Sequence, residues 1–111
     1  MKHVIRPTAK DDIIRQFRYY LLADAFDTAT RFLEAVDASI ETLLAMPEIG
    51  VSKTLSNPRL EGLRCWPVKD FDDILIFYVI RPETLRIVRI LHGTRDINKI
   101  LEREKDDSFI N

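Results

Sequence analysis

The sequence predicts an α+β fold: a small antiparallel sheet with an N-terminal helical hairpin on one face and a short C-terminal helix, in the order β-α-α-β-β-β-α. Three observations carry this. Two stretches before residue 47 repeat apolar residues at helical spacing and are separated by very few residues. Three later runs are strand-sized, and the second and third are rich in Ile, Val, Phe and Tyr, with connections short enough for hairpins. The 3 Gly and 5 Pro fall between these segments, where chain reversals are needed.

Lys2 to Arg6 reads as a short strand closed by Pro7. Thr8, with Asp11 three residues on, offers a helix start, and Ile13, Ile14, Phe17, Tyr20 and Leu21 set a helix from about residue 9 to 22. Asp24 is positioned to cap a second helix over residues 25–46, the longest element. Its apolar face is Phe26, Ala29, Phe32, Leu33, Val36, Ile40, Leu43 and Leu44, and it ends before Pro47 and Gly50. Residues 47–62 form a loop. The strand runs are Leu63 to Lys69, Ile74 to Ile80 and Leu85 to His92, joined by Asp70–Asp73 and by Arg81-Pro82-Glu83. Thr94 offers a cap for a short helix through Ile97, Ile100 and Leu101. One face of such a sheet packs the helical hairpin and leaves the other at least partly open.

The chain has 111 residues, 46% hydrophobic and 32% charged, which suits one globular domain, drawn at 1–105, with an acidic, frayed tail at 106–111. The longest apolar run, Ile74 to Ile80, is strand-sized, so no membrane span is expected. Met1 to Pro7 lacks a signal-peptide h-region, and cytoplasmic residence is expected. The single Cys65 excludes an intramolecular disulfide framework and a multi-cysteine zinc site, and reads as an inert thiol. His3 and His92 have no ligand-like spacing to each other, so no metal site is predicted. The net charge of −1 hides a gradient, because residues 51–100 carry 9 Lys/Arg against 6 Asp/Glu. Such a segment suits an ordinary solvated sheet edge, an acidic protein surface or nucleic acid; the overall balance argues against a protein that coats nucleic acid generally.

Five features occur together. Pro7-Thr8-Ala9 with Asp11-Asp12 opens the first helix, and Leu43, Pro47 and Gly50 close the second. Gly62-Leu63-Arg64 starts the sheet, an aromatic strand carries Tyr78, and Ile90-Leu91-His92-Gly93-Thr94-Arg95-Asp96 ends the last strand. In this order, over residues 3–103, the chain resembles the ParE-like toxins of the RelE/ParE superfamily of type II toxin–antitoxin systems. The resemblance implies a toxin neutralised by a cognate ParD-like antitoxin, which pairs a DNA-binding domain with a segment that folds onto the toxin. It implies no metal or organic cofactor. Two mechanisms share this fold: ParE-like poisoning of DNA gyrase, and RelE-like, ribosome-dependent mRNA cleavage without a metal. A third outcome is an inactive toxin-fold protein that only binds antitoxin.

Gyrase poisoning is the expectation, because the residues for RNA cleavage are incomplete. Cleavage needs proton transfer at both ends of the breaking bond and a cation for the phosphorane charge. The resemblance supplies Arg64, His92 and Arg95 for those roles. Beyond Arg95, however, there is no tyrosine or histidine, only Phe109. His92, at a strand end before Gly93, equally fits a ring that hydrogen-bonds nearby backbone, and Arg95-Asp96 equally fits a charged first helical turn. The surface expected to meet antitoxin or target contains Arg64, Trp66, Arg86, Arg89 and Arg95. Trp66 fits either the core or an apolar platform for an antitoxin helix. Strand alternation places Arg86 and Arg89 on opposite faces, with Arg89 either pairing an interior carboxylate or crossing the open face.

Overall fold

A computed structural model describes residues 1–104. The strands are β1 (Lys2–Ile5), β2 (Val51–Ser52), β3 (Arg64–Val68), β4 (Phe71–Arg81) and β5 (Thr84–His92), and the helices are α1 (Pro7–Leu22), α2 (Phe26–Ala45) and α3 (Ile97–Glu102). At 20 residues α2 is the longest element, as its unbroken stripe predicts. The expected tail at 106–111 lies outside the described residues.

The sheet has five strands in the order β1-β5-β4-β3-β2. It is mixed rather than purely antiparallel, because β1 runs parallel to β5, pairing Lys2 with Thr84 and Ile5 with Ile87. Side-chain alternation does not encode the direction of a partner strand, so that pairing was not legible. The two-residue β2 is likewise too short to show a period; it pairs antiparallel with the start of β3. The hairpin connections are tighter than expected. Lys69-Asp70 and Pro82-Glu83 turn the chain, with Asp70 and Glu83 at positive φ of 65° and 59°.

The expected side-chain caps fall elsewhere. Pro7 takes the first position of α1, where its missing N–H costs nothing, and Thr8 lies inside that turn. Asp24 occupies the left-handed region at φ 57° between the two helices, and Ala25 precedes α2 without a side-chain cap. At α3 the cap is Asp96 rather than Thr94; its carboxylate accepts from the Lys99 backbone N–H.

Both faces of the sheet are covered. On the first, Ala9 of α1 and Phe32, Val36, Ile40 and Leu43 of α2 bury Val68, Ile74, Ile76, Tyr78, Leu85, Ile87 and Ile90. Three residues of the predicted helical stripes, Ile14, Phe26 and Leu33, instead remain exposed. On the second face, Phe77, Val79, Val88 and Leu91 pack with Leu60, Leu63 and Leu101. The loop before β3 and the α3 segment therefore close the face that the sequence left open. Asn57, itself buried, fixes this cover: its side-chain amide donates to the carbonyls of Leu101 and Glu104 at 3.0 and 2.9 Å.

Candidate functional site

The register of β4 and β5 decides where the two strand arginines lie. Phe77 pairs with Arg89 and Tyr78 with Ile87, so Val88 is an extra residue in β5. This bulge cancels strict alternation. Arg86 stands opposite Val79 and Arg89 opposite Phe77, and both partners belong to the second face. The expectation of opposite faces therefore fails at the bulge, which no period in the sequence announces.

Arg89 takes the interior alternative. Its Nε and Nη2 donate to the two oxygens of Asp12 at 2.7 and 2.8 Å, and Nη1 donates to Glu104 at 3.1 Å. Glu104 also pairs with Arg6, and Asp12 accepts from the Ile90 backbone N–H at 3.0 Å. The Asp12 hydrogen bond and ion pair raise the Arg89 pKa, overcoming the opposing effect of burial. Arg6, Asp12 and Glu104 are all buried. This network joins the start of α1, the exposed edge of β5 beyond β1, and the segment after α3. Sequence reasoning assigned no site role to Arg6, Asp12 or Glu104; Asp12 entered only as part of the helix opening, and the available signal was that Arg89 could pair with an interior carboxylate.

Arg64 is similarly committed. Its Nη1 donates to the carbonyls of Glu48 and Gly50, at 3.1 and 2.8 Å. The neighbouring Tyr78 hydroxyl donates to the Pro47 carbonyl at 2.7 Å and accepts from the Gly50 N–H at 2.9 Å. Together they fasten the turn that leads from α2 into the sheet. Burial pushes the Tyr78 phenol above its ordinary value, against the lowering effects of the Gly50 hydrogen bond and the Arg64 charge. Trp66 is half-buried, opposite Ile76, and packs against the helix-side core. Cys65 is half-buried behind the second face, and its thiol is likewise pushed up by burial.

His92 stands opposite Ile74, level with the helix-side core. Its Nδ1 accepts from the Thr94 backbone N–H at 3.2 Å and lies 2.9 Å from the Thr94 hydroxyl. A neutral ring then carries its proton on Nε2. The ring lines a depression between α1 and the β3–β4 turn, together with Arg15, Tyr19, Asp72 and Asp73. Arg95 follows in the same turn, its backbone N–H donating to the His92 carbonyl at 3.0 Å, but its exposed side chain lines a separate depression beside α3 with Lys99 and Arg103. Arg64 aligns with Tyr78 and His92 with Ile74, four residues apart along β4. Strand rise and spacing then put the Arg64 and His92 backbones roughly 16 Å apart. The structure does not bring Arg64, His92 and Arg95 into one cluster.

A model of the ParE toxin of type II toxin–antitoxin systems (parDE) matches residues 4–97. The chain belongs to the ParE toxin family. In fold it is similar to a chain of the chromosomal ParDE TA system from P. aeruginosa, with a TM-score of 0.66, 13% identity, and coverage of 83% of this chain and 95% of that one. No curated protein matches significantly. The ParE match runs from within β1 to the first residue of α3 and includes Arg6, Asp12 and Arg89. Glu104, which completes the buried network, lies beyond the matched span. Among the described residues, no group of His, Cys, Asp and Glu is placed to hold a metal ion. No helix among them is long and apolar enough to cross a membrane.

Proposed function

We propose that this ParE-family toxin arrests growth by holding a protein target, DNA gyrase, and that a cognate ParD-like antitoxin neutralises it by covering its exposed surface. The separation of Arg64 from His92, and of the depressions that the His92 and Arg95 side chains line, carries this reading. An RNA-cleaving site needs its cation and proton-transfer groups within hydrogen-bond reach of one phosphate. Here one arginine is spent on the Glu48 and Gly50 carbonyls, the histidine lies two strands away from it, and the second arginine, though next to the histidine in the chain, lines a different depression. What the chain does offer a protein partner is a basic rim around Arg95, the half-exposed Arg86, and the accessible part of Trp66. Arg64 and Arg89 contribute by holding the frame.

Controlled expression without antitoxin, with gyrase and mRNA assays on the purified toxin, tests the reading. Growth arrest, inhibited supercoiling or trapped gyrase–DNA cleavage, and intact ribosome-bound message are expected. Codon-linked mRNA breaks that vanish in Arg64→Ala would establish the nuclease reading instead.

A further inference from the structure

The depression beside α3 has a charge imbalance that the frame does not use. It is lined by Arg89, Arg95, Asp96, Lys99, Ile100 and Arg103, with Glu104 at its inner end. Of its two carboxylates, Glu104 is neutralised by Arg6 and Arg89, and Asp96 accepts from the Lys99 backbone N–H as the cap of α3. Arg89 is committed to Asp12 and Glu104 through all three of its nitrogens. The side chains of Arg95, Lys99 and Arg103 have no carboxylate partner among the described residues. Three cations thus converge around the half-buried Ile100, in a chain whose net charge is −1.

We infer that this depression docks an acidic segment of a partner protein. Arg95 and Arg103 suit forked hydrogen bonding to carboxylates, Lys99 adds a point charge between them in sequence, and Ile100 takes an apolar side chain. The buried network and the Asn57 contacts hold the backbone of the site in place before a partner arrives, so that only the exposed side chains of Arg95, Lys99 and Arg103 remain to be ordered on binding. Protein fits better than nucleic acid. Only three cations line the depression, too few to track a phosphate backbone, and the half-buried Ile100 among them can take an apolar side chain, which a peptide carries and a phosphate backbone does not. The identity of the partner rests on the proposed toxin function; the docking chemistry does not.

The probe is a short fluorescein-labelled peptide of alternating Glu and Leu, titrated onto the full chain and followed by anisotropy. Binding should weaken as salt rises and fall by roughly tenfold or more in the triple variant Arg95→Gln, Lys99→Gln, Arg103→Gln. A smaller loss in the same direction is expected for Lys99→Gln alone, an exposed change that leaves the frame intact. A triple variant in the helical hairpin, Lys10→Gln, Arg18→Gln, Arg31→Gln, should bind as the parent does. No binding at low salt, equal binding of a Gln/Leu peptide, or an equal loss in the hairpin variant overturns the proposal. Single-stranded RNA that binds more tightly than the peptide, through the same three residues, overturns it in favour of a nucleic-acid surface. Binding by a chain that leaves growth unaffected keeps the site and overturns the poison reading. Gyrase-dependent arrest by a chain that ignores the peptide does the reverse.

Discussion

Arg89 grips Asp12 through two nitrogens, at 2.7 and 2.8 Å, at the point where β1 ends and β5 loses its strand neighbour. Asp12 replaces the missing neighbour by accepting the Ile90 N–H as well. A carboxylate from a helix thus finishes the edge of the sheet. Removing it leaves a half-buried guanidinium with only Glu104, and a backbone N–H with no acceptor. Asp12→Ala should therefore cost about 3–5 kcal/mol of stability. Urea denaturation measures this, and a loss below about 1 kcal/mol would show that water replaces the carboxylate cheaply.

The Tyr78 hydroxyl closes the Pro47–Gly50 turn from both sides. Tyr78→Phe should cost about 1–3 kcal/mol, because the Gly50 N–H and the Pro47 carbonyl both lose a partner. The pH dependence has a definite sign. The folded phenol titrates above its ordinary value of 10.0, so folding favours the protonated form. That stabilisation is fully present below about pH 10 and is lost as pH rises through the folded value. Denaturation curves for parent and Tyr78→Phe, stepped through alkaline pH, should converge. Curves that stay parallel would rule out titration of this hydroxyl as the cause.

Gly50 sits where a larger residue has no room. A Cβ there would fall 2.5 Å from the Tyr78 hydroxyl and 3.0 Å from the Cys65 carbonyl. Gly50→Ala should destabilise by about 1–3 kcal/mol through displacement of the Tyr78 ring. In combination with Tyr78→Phe the two losses should fall short of additivity, since both break the same contact. A double-mutant cycle with full additivity would refute that coupling.

Asn57 is the link between the loop before β3 and the end of α3. Asn57→Ala should cost about 1–3 kcal/mol and, more specifically, speed amide exchange in residues 97–104. Unchanged exchange in that segment would show that Leu101 alone holds α3 in place.

Toxicity assays in a host without antitoxin separate the two candidate mechanisms. His92→Ala should leave growth arrest within about twofold, because its contacts are to Thr94 in the same turn. Arg64→Ala should reduce folded protein before it reduces activity per folded molecule, because its partners are the carbonyls of Glu48 and Gly50. Loss of arrest in both variants at undiminished folded yield would point to catalysis.

Periodicity was sufficient for the helical hairpin, because burial of one face imposes a repeat along the chain, with Pro47 and Gly50 marking the end of α2; the three central strands were legible from their length, their Ile, Val, Phe and Tyr content and their short connections. The order of Pro7, Gly50, Gly62, Tyr78 and the His92–Asp96 stretch was enough to indicate the toxin family. The caps were less legible: Thr8 and Asp24 are chemically suitable, but Pro7 at the first helical position and a left-handed turn at Asp24 displaced them. Only the tertiary structure decided what the arginines do. A guanidinium's role depends on the carboxylates or carbonyls that folding brings near it, and those of Arg89 lie 77 and 15 residues away. The bulge at Val88, which puts Arg86 and Arg89 on one face, is a property of paired strands rather than of either strand's sequence. For the same reason the parallel edge of β1 and the closing of the second face by Leu60, Leu63 and Leu101 belong to the assembled molecule: both arise from contacts between segments distant in the chain, which leave no local pattern to read.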